Sequence, residues 1–141
     1  MSVQLAAALA AEQAAIYAYG VVGVKVRPGA DQTAARAAEQ AHRERCDALI
    51  AKLDQVGAST APAPAAYELP FAVTGRASAL ELAIHVEDGV AQAWRAVLPV
   101  SQGADRTEAL SALTDAAVRA TRWRRSAGVS PVTLAFPGRP T

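Results

Sequence analysis

Glu39 and His42, three residues apart, are a pair whose types and spacing could do chemistry. They lie in "AARAAEQAHRERCDAL", residues 34–49, an alanine-rich run typical of a helix. A Glu-x-x-His pair on one helix can supply half of a metal site built between facing helices. It can equally be two polar residues on a solvated face, so the position of the pair on its helix decides between these interpretations.

Helical spacing predicts that the pair is buried. Residues three and four apart share a helix face. A series with this spacing runs through the pair, and its other members are apolar. The series is Ala35, Glu39, His42, Cys46, Leu49, Leu53 and Val56. The same spacing puts Glu12 on an apolar stripe of an earlier helix and Glu87 on one of a later helix. Because buried carboxylates need a cation or a proton, we expect Glu12, Glu39, His42 and Glu87 to form one shared site.

The elements that must position these residues are four predicted helices. Glycine and proline punctuate the turns between them, and polar residues suited to capping stand near their starts. The predicted helices cover residues 2–26, 31–56, 78–100 and 105–126. The predicted caps are Asp31 or Thr33, the pair Ser78 and Glu81, and the pair Asp105 and Glu108. The fold class is therefore all-α.

The segment 58–77 has three prolines and no helical period. About twenty extended residues can span roughly 60 Å, whereas a helix of about 24 residues is only about 36 Å long. The segment can therefore return the chain along the whole bundle. One long crossover between two antiparallel pairs predicts a ferritin-like four-helix bundle over residues 1–127. An extended tail, residues 128–141, should pack on the bundle or on a partner chain.

The fourth predicted helix does not repeat the metal pattern. Asp115 lies roughly 140° from the centre of the apolar arc at about 100° per residue. Val118, and not a histidine, follows three residues later. Arg119 and Arg122 stand where a second histidine would be expected. The sequence therefore predicts an incomplete site.

Several phrases resemble an alanine-rich, ferritin-like family of actinobacteria. They are "AEQAAIYAYG", "AHRERCDAL", "VEDGVAQAWRA", "LTDAAVRATRW" and "AFPGRP", and they span nearly the whole chain. In the ferritin-like superfamily, two single glutamates and two Glu-x-x-His pairs hold a di-iron site. The resemblance implies that Glu12, Glu39 and His42 would hold one iron, and that Glu87 would bridge to a second ion or bind it weakly. The family has no assigned activity, so the resemblance implies a fold more than a reaction.

Two hypotheses concern the core. In the first, a degenerate di-iron-type site is metal-free or binds at most one metal, Fe or Mn by its donor chemistry. Its carboxylates are then balanced by nearby cations or hydrogen-bond donors, for which the sequence offers Arg36, Arg119, Arg122, Tyr17 and Tyr19. In the second, the protein is an oxidase-type enzyme that depends on one or two Fe or Mn ions. No catalytic residue can be named, and the first hypothesis, without enzymatic activity, is favoured.

A third hypothesis is a non-enzymatic interaction or structural protein, with a homodimer as the expected assembly. The net charge of +1 gives no field that favours nucleic acid or an anionic membrane. The first helix lacks a basic leader and is interrupted by Glu12, which argues against a signal peptide and a membrane span. One cysteine is compatible with the cytoplasm, the expected location. Motifs of hydrolases, NTPases and zinc fingers are missing, and the substrate is unknown.

Overall fold

Alanine-rich segments form four long α-helices in the computed structural model, which describes residues 1–140. The helices are α1 (Ser2–Lys25), α2 (Ala30–Gln55), α3 (Arg76–Val97) and α4 (Gly103–Ala127). A short 3₁₀ turn, Leu98–Val100, follows α3, and no strand forms within the described range. The predicted all-α class is confirmed.

The helices form two antiparallel pairs, α1 with α2 and α3 with α4, and α1 also packs against α3. Arg76 at the start of α3 bonds to Asp31 in the first turn of α2, at 2.8 Å between Nε and Oδ2. Both helices therefore begin at the same end of the bundle, and the crossover between them runs its full length. Leu69, Phe71 and Val73 of the crossover pack against the core.

The helices begin slightly earlier than their predicted caps. Gly75 is the N-cap of α3, and Ser78 lies three residues inside, where its hydroxyl accepts from the backbone N–H groups of Thr74 and Gly75 at 2.9 and 3.2 Å. Asp31 and Asp105 lie in the first turns of α2 and α4 and do not cap them. Carboxylates in a first turn still favour the helix by interacting with its dipole, which explains the acidic signal in the sequence.

Long charged side chains bridge α2 and α4 where their backbones do not pack closely. Arg45 on α2 donates to Asp115 at 2.8 Å and also to Glu108, both on α4. Lys52 on α2 pairs with Asp105 at 2.6 Å. Asp115 is therefore engaged at the surface, as expected from its position on the polar side of α4.

α1 is long and apolar enough to cross a membrane by length and composition alone. In the bundle, 44% of its most apolar window is buried, and the buried residues include the carboxylate of Glu12. Its inward face therefore lies in the core and carries one charged residue, Glu12, near its middle. Within residues 1–140, no helix packs against its outward face, and Tyr67 of the crossover contacts Tyr17 there.

The tail returns along the outside of α3. Arg95 donates to the carbonyl oxygen of Pro137 at 3.0 Å. Gly138 has a φ of +76°, and a Cβ atom there would stand 2.5 Å from the carbonyl oxygen of Ala91. Glycine is needed here for both its backbone conformation and its close approach to α3.

Candidate functional site

Three side chains from three helices meet in the middle of the bundle: Glu12 of α1, His42 of α2 and Glu87 of α3. We call these three residues the polar core; none is more than 1% exposed. One apolar cluster, which includes Leu53, lies towards one end of the bundle. A second, which includes Leu80, lies towards the other. The polar core is therefore a charged layer between two apolar layers.

His42 joins the two carboxylates through both of its ring nitrogens. Nδ1 bonds to Oε2 of Glu12, and Nε2 bonds to Oε1 of Glu87 at 2.7 Å. A carboxylate is an acceptor, so each ring nitrogen must donate a proton. His42 is therefore an imidazolium in this arrangement, and it links α1, α2 and α3.

Three aromatic side chains donate hydrogen bonds around this bridge. Trp94 Nε1 donates to Oε1 of Glu12 at 2.8 Å, and Tyr19 donates its hydroxyl to Oε1 of Glu87 at 2.8 Å. Trp123 on α4 donates to the Tyr19 oxygen, also at 2.8 Å. Buried indole and phenol groups need such partners, so the aromatics both fill volume and satisfy the carboxylates.

Arg119 of α4 supplies the second positive charge. Its Nη1 lies 3.6 Å from Oε2 of Glu87, a buried oxygen that has no hydrogen-bond donor among the described residues. Two carboxylates, one imidazolium and one guanidinium give a cluster with no net charge. Neutrality is what allows these groups to remain in a core, because an unbalanced buried charge costs several kcal/mol.

The pKa values follow from burial and these contacts. Burial alone lowers the pKa of His42, but the hydrogen bonds to Glu12 and Glu87 and the charges of both carboxylates outweigh it and raise the pKa to about 9. Burial raises the pKa of the Tyr19 phenol well above 10, and the charge of Glu87 adds to the rise. At neutral pH His42 is thus charged, and Tyr19 is a neutral donor.

Glu39, the fourth residue of the predicted site, lies outside the polar core. Its side chain is 19% exposed and pairs with Arg36 at 3.7 Å and with Arg43 at 3.4 Å, both on its own helix. Ala38 takes the buried position in its place. The expectation that Glu39 faces Glu12 and Glu87 is therefore wrong, because α2 is rotated so that its seam passes through Ala38.

The groups that balance the carboxylates only partly match the predicted ones. Arg119 and Tyr19, both predicted, contact Glu87, whereas Tyr17, also predicted, packs on Tyr67 of the crossover, with ring centroids 5.2 Å apart. The indole donors Trp94 and Trp123 are not among the predicted balancing groups. For Trp94 a signal existed: it lies seven residues after Glu87, on the same helix face.

The donors of the polar core do not fit a metal ion as arranged. Both nitrogens of His42 carry protons bound to carboxylates, so neither offers a lone pair. Glu39 is paired with arginines of its own helix. Arg119 places a cation on α4, the helix that would have to supply further metal ligands. Among residues 1–140, no three His, Cys, Asp or Glu side chains are arranged to hold a metal.

Comparison with known proteins gives a family and a related fold. A family described as a domain of unknown function (DUF4439) matches residues 4–141. The crystal structure of a conserved hypothetical protein from Mycobacterium tuberculosis is similar to this chain, with 42% sequence identity and a TM-score of 0.84. The match covers 88% of this chain and 94% of that one. The comparison with curated proteins gave no match.

Removing the bridging imidazolium should destabilise the fold strongly. In a His42→Ala variant, Glu12 and Glu87 would remain buried without the cation between them. Breaking a buried ion pair in this way costs roughly 3–5 kcal/mol, to be measured as the free energy of unfolding in urea. The matched control is His85→Ala, because His85 is exposed on α3, and its loss should cost less than about 0.5 kcal/mol. Equal losses in the two variants would contradict the bridge.

Stability should fall with rising pH because of His42. Its pKa rises from 6.5 to about 9 on folding, so its contribution is fully present below pH 6.5 and is lost as the pH rises through 9. Burial raises the pKa of the Cys46 thiol to about 11, above this interval. The unfolding free energy, measured across the interval, should decline in the wild type. A His42→Gln variant should show a much flatter profile, and parallel profiles would contradict the assignment.

Proposed function

The chain belongs to the family described as a domain of unknown function (DUF4439), and from that premise we propose that it is a ferritin-like scaffold whose di-iron-type centre has become a metal-independent ionic core. On this proposal the protein acts by binding, through its surfaces, and not by redox catalysis. Two antiparallel helix pairs, a long crossover and inward glutamates on α1 and α3 support the ferritin-like ancestry.

The observation that carries the proposal is the source of positive charge in the polar core. In a di-iron bundle the ions balance the inward carboxylates. Here His42 binds Glu12 and Glu87 at once, and Arg119 reaches Glu87 from α4. A metal would have to displace a proton from His42, since metal ligands must be deprotonated. The core is thus electrostatically complete with protein groups alone.

Burial supports binding over catalysis. Glu12 and Glu87 are 0% exposed and His42 is 1% exposed, so a substrate has no direct access to them. Tyr19, which bonds to Glu87, is likewise 0% exposed. Groups with shifted pKa values can belong to structural ion networks as well as to active sites, and this network connects all four helices.

Metal analysis tests the proposal. Protein purified without chelator should contain far less than one equivalent of Fe, Mn and Zn, because the histidine lone pairs are protonated. Anaerobic loading with Fe(II), followed by desalting and elemental analysis, should not increase the content. The matched variant is Arg119→Glu, which replaces the α4 cation by a carboxylate beside Glu87 and should increase metal uptake. Arg106→Glu, exposed on the same helix, is the control and should not.

One observation favours the metal-dependent alternative. Oε2 of Glu87 is buried without a hydrogen-bond donor among the described residues, and such an oxygen could serve as a ligand. The alternative is an Fe- or Mn-dependent oxidase with a single ion held by Glu12, His42 and Glu87. One equivalent of Fe or Mn in the wild type, lost in His42→Ala and retained in His85→Ala, would establish it and reject the ionic-core proposal.

The outward face of α1 supports a homodimer. Between Ser2 and Lys25 the only charged side chain is Glu12, which faces inward. On the opposite face, Val3 is 78% and Val24 is 70% exposed, and Ala10 between them is also exposed. A helix that is apolar all round is typically buried on all sides. Between Ala10 and Val24, Tyr17 packs on Tyr67 of the crossover. We infer that a second copy covers the parts of this face that the crossover leaves open, with α1 against α1.

Oligomeric state tests this inference. Light scattering during size-exclusion chromatography should give the mass of two chains for the wild type. Ala10→Glu places a charge in the middle of the proposed interface and should weaken the dimer at least about tenfold, a loss of roughly 1.4 kcal/mol. Ala104→Glu, exposed in the first turn of α4, should leave the dimer intact. A monomeric wild-type protein would contradict the inference.

A further inference from the structure

A cavity of about 620 Å³ lies on the outer side of the bundle, and no residue of the polar core lines it. We call it the tail groove; its walls are α3, the second half of α4 and residues 133–137 of the tail. Along α4 it extends from Leu113 to Arg125, roughly 18 Å at about 1.5 Å per residue. Its volume is within the range of small-molecule sites, about 300–1,000 Å³.

The lining of the groove is mostly apolar. Ala117 and Val118 line it from α4, and Leu134 and Phe136 face it from the tail. Phe136 is 60% and Leu134 is 44% exposed. Thr121 also lines it, but its hydroxyl donates to the carbonyl oxygen of Ala117 at 3.0 Å. The groove therefore offers hydrocarbon surface with few free polar groups along its length.

Arginines are concentrated at the groove, and among residues 1–140 Asp88 alone lines it with a carboxylate. Asp88 is paired with Arg124, and Arg95 is bound to the tail carbonyl of Pro137. Arg122 and Arg125 are exposed, and neither has a carboxylate partner within residues 1–140. Two guanidinium groups at one end of an apolar trough are complementary to a negative head group on a hydrocarbon chain, because guanidinium binds carboxylate bidentately.

We propose that the tail groove binds a single-chain amphipathic anion of the fatty-acid type. The carboxylate pairs with Arg122 and Arg125, and the hydrocarbon chain lies along Val118, Leu134 and Phe136. The tail forms one wall and is held to α3 by the contacts of Pro137 and Gly138, so the groove is formed before the ligand arrives. This proposal is independent of whether the polar core holds a metal.

Isothermal titration calorimetry with dodecanoate, below its micelle concentration, tests the proposal. We expect one molecule bound per chain. Butyrate has the same head group without the long chain, and dodecyltrimethylammonium has the chain with the opposite charge; both should bind at least about tenfold more weakly, since each lacks half of the recognition. Equal affinity for dodecyltrimethylammonium, or no binding of dodecanoate, would overturn the proposal.

Matched variants locate the site. The double variant Arg122→Gln/Arg125→Gln should weaken dodecanoate binding at least about tenfold, because it removes both charged donors to the carboxylate. Arg106→Gln, exposed elsewhere on α4, should not change it. Phe136→Ser should also weaken binding, whereas Leu110→Ser, 54% exposed and outside the groove, should not. Dodecanoate binding that none of these groove variants alters would reject the assigned location.

A final arm separates a free anion from a membrane surface. Vesicles of phosphatidylglycerol present the negative charge but keep their acyl chains within the bilayer. Flotation with such vesicles should leave the protein unbound, and vesicle binding lost in the arginine double variant would overturn the proposal in favour of a membrane surface.

Thermal unfolding of each variant checks that the exposed substitutions leave the fold intact.

Discussion

The buried imidazolium of His42 is the interaction on which the rest of the bundle depends. Glu12 and Glu87 enter the core from α1 and α3, and neither can remain charged there without a cation. His42 bonds to both at once. Each of α1, α2 and α3 must therefore have the axial position and the rotation about its own axis that allow these hydrogen bonds to form. An apolar core of small side chains would allow several registers, whereas two directional, charged hydrogen bonds select one.

The need to satisfy two buried carboxylates also explains the positions of the aromatic donors and the contribution of α4. A carboxylate has more acceptor sites than one imidazolium can fill, and Trp94, Tyr19 and Trp123 supply the additional donors. Arg119 brings the second charge from α4, which packs closely against α3. A long arginine suits this position, because its aliphatic stem can lie along apolar surface while the guanidinium reaches Glu87. All four helices thus contribute to one neutral cluster.

On the proposed interpretation, the polar core resembles a di-iron centre in position and not in chemistry. Inward glutamates on α1 and α3 and a histidine on α2 would occupy ligand-like places, and the protons of His42 and the guanidinium of Arg119 would provide the charge that ions provide in a di-iron bundle. The polar core holds the helices together and is not exposed on the outer surfaces. Two other features lie on those surfaces: an uncharged face on α1 and an arginine-rich apolar groove beside the tail.

The sequence by itself determined the four helices, the long crossover and the inward positions of Glu12, His42 and Glu87, because alanine content, punctuation and apolar spacing are local properties of the chain. The sequence could not determine whether Glu39 faces the core. Two series through α2, one by way of residue 38 and one by way of residue 39, have the same steps of three and four. The sequence also named Arg119 only as one alternative. Rotation of α2 about its axis depends on what its neighbours present, so only the tertiary structure decided that Ala38 faces inward and that arginine completes the site.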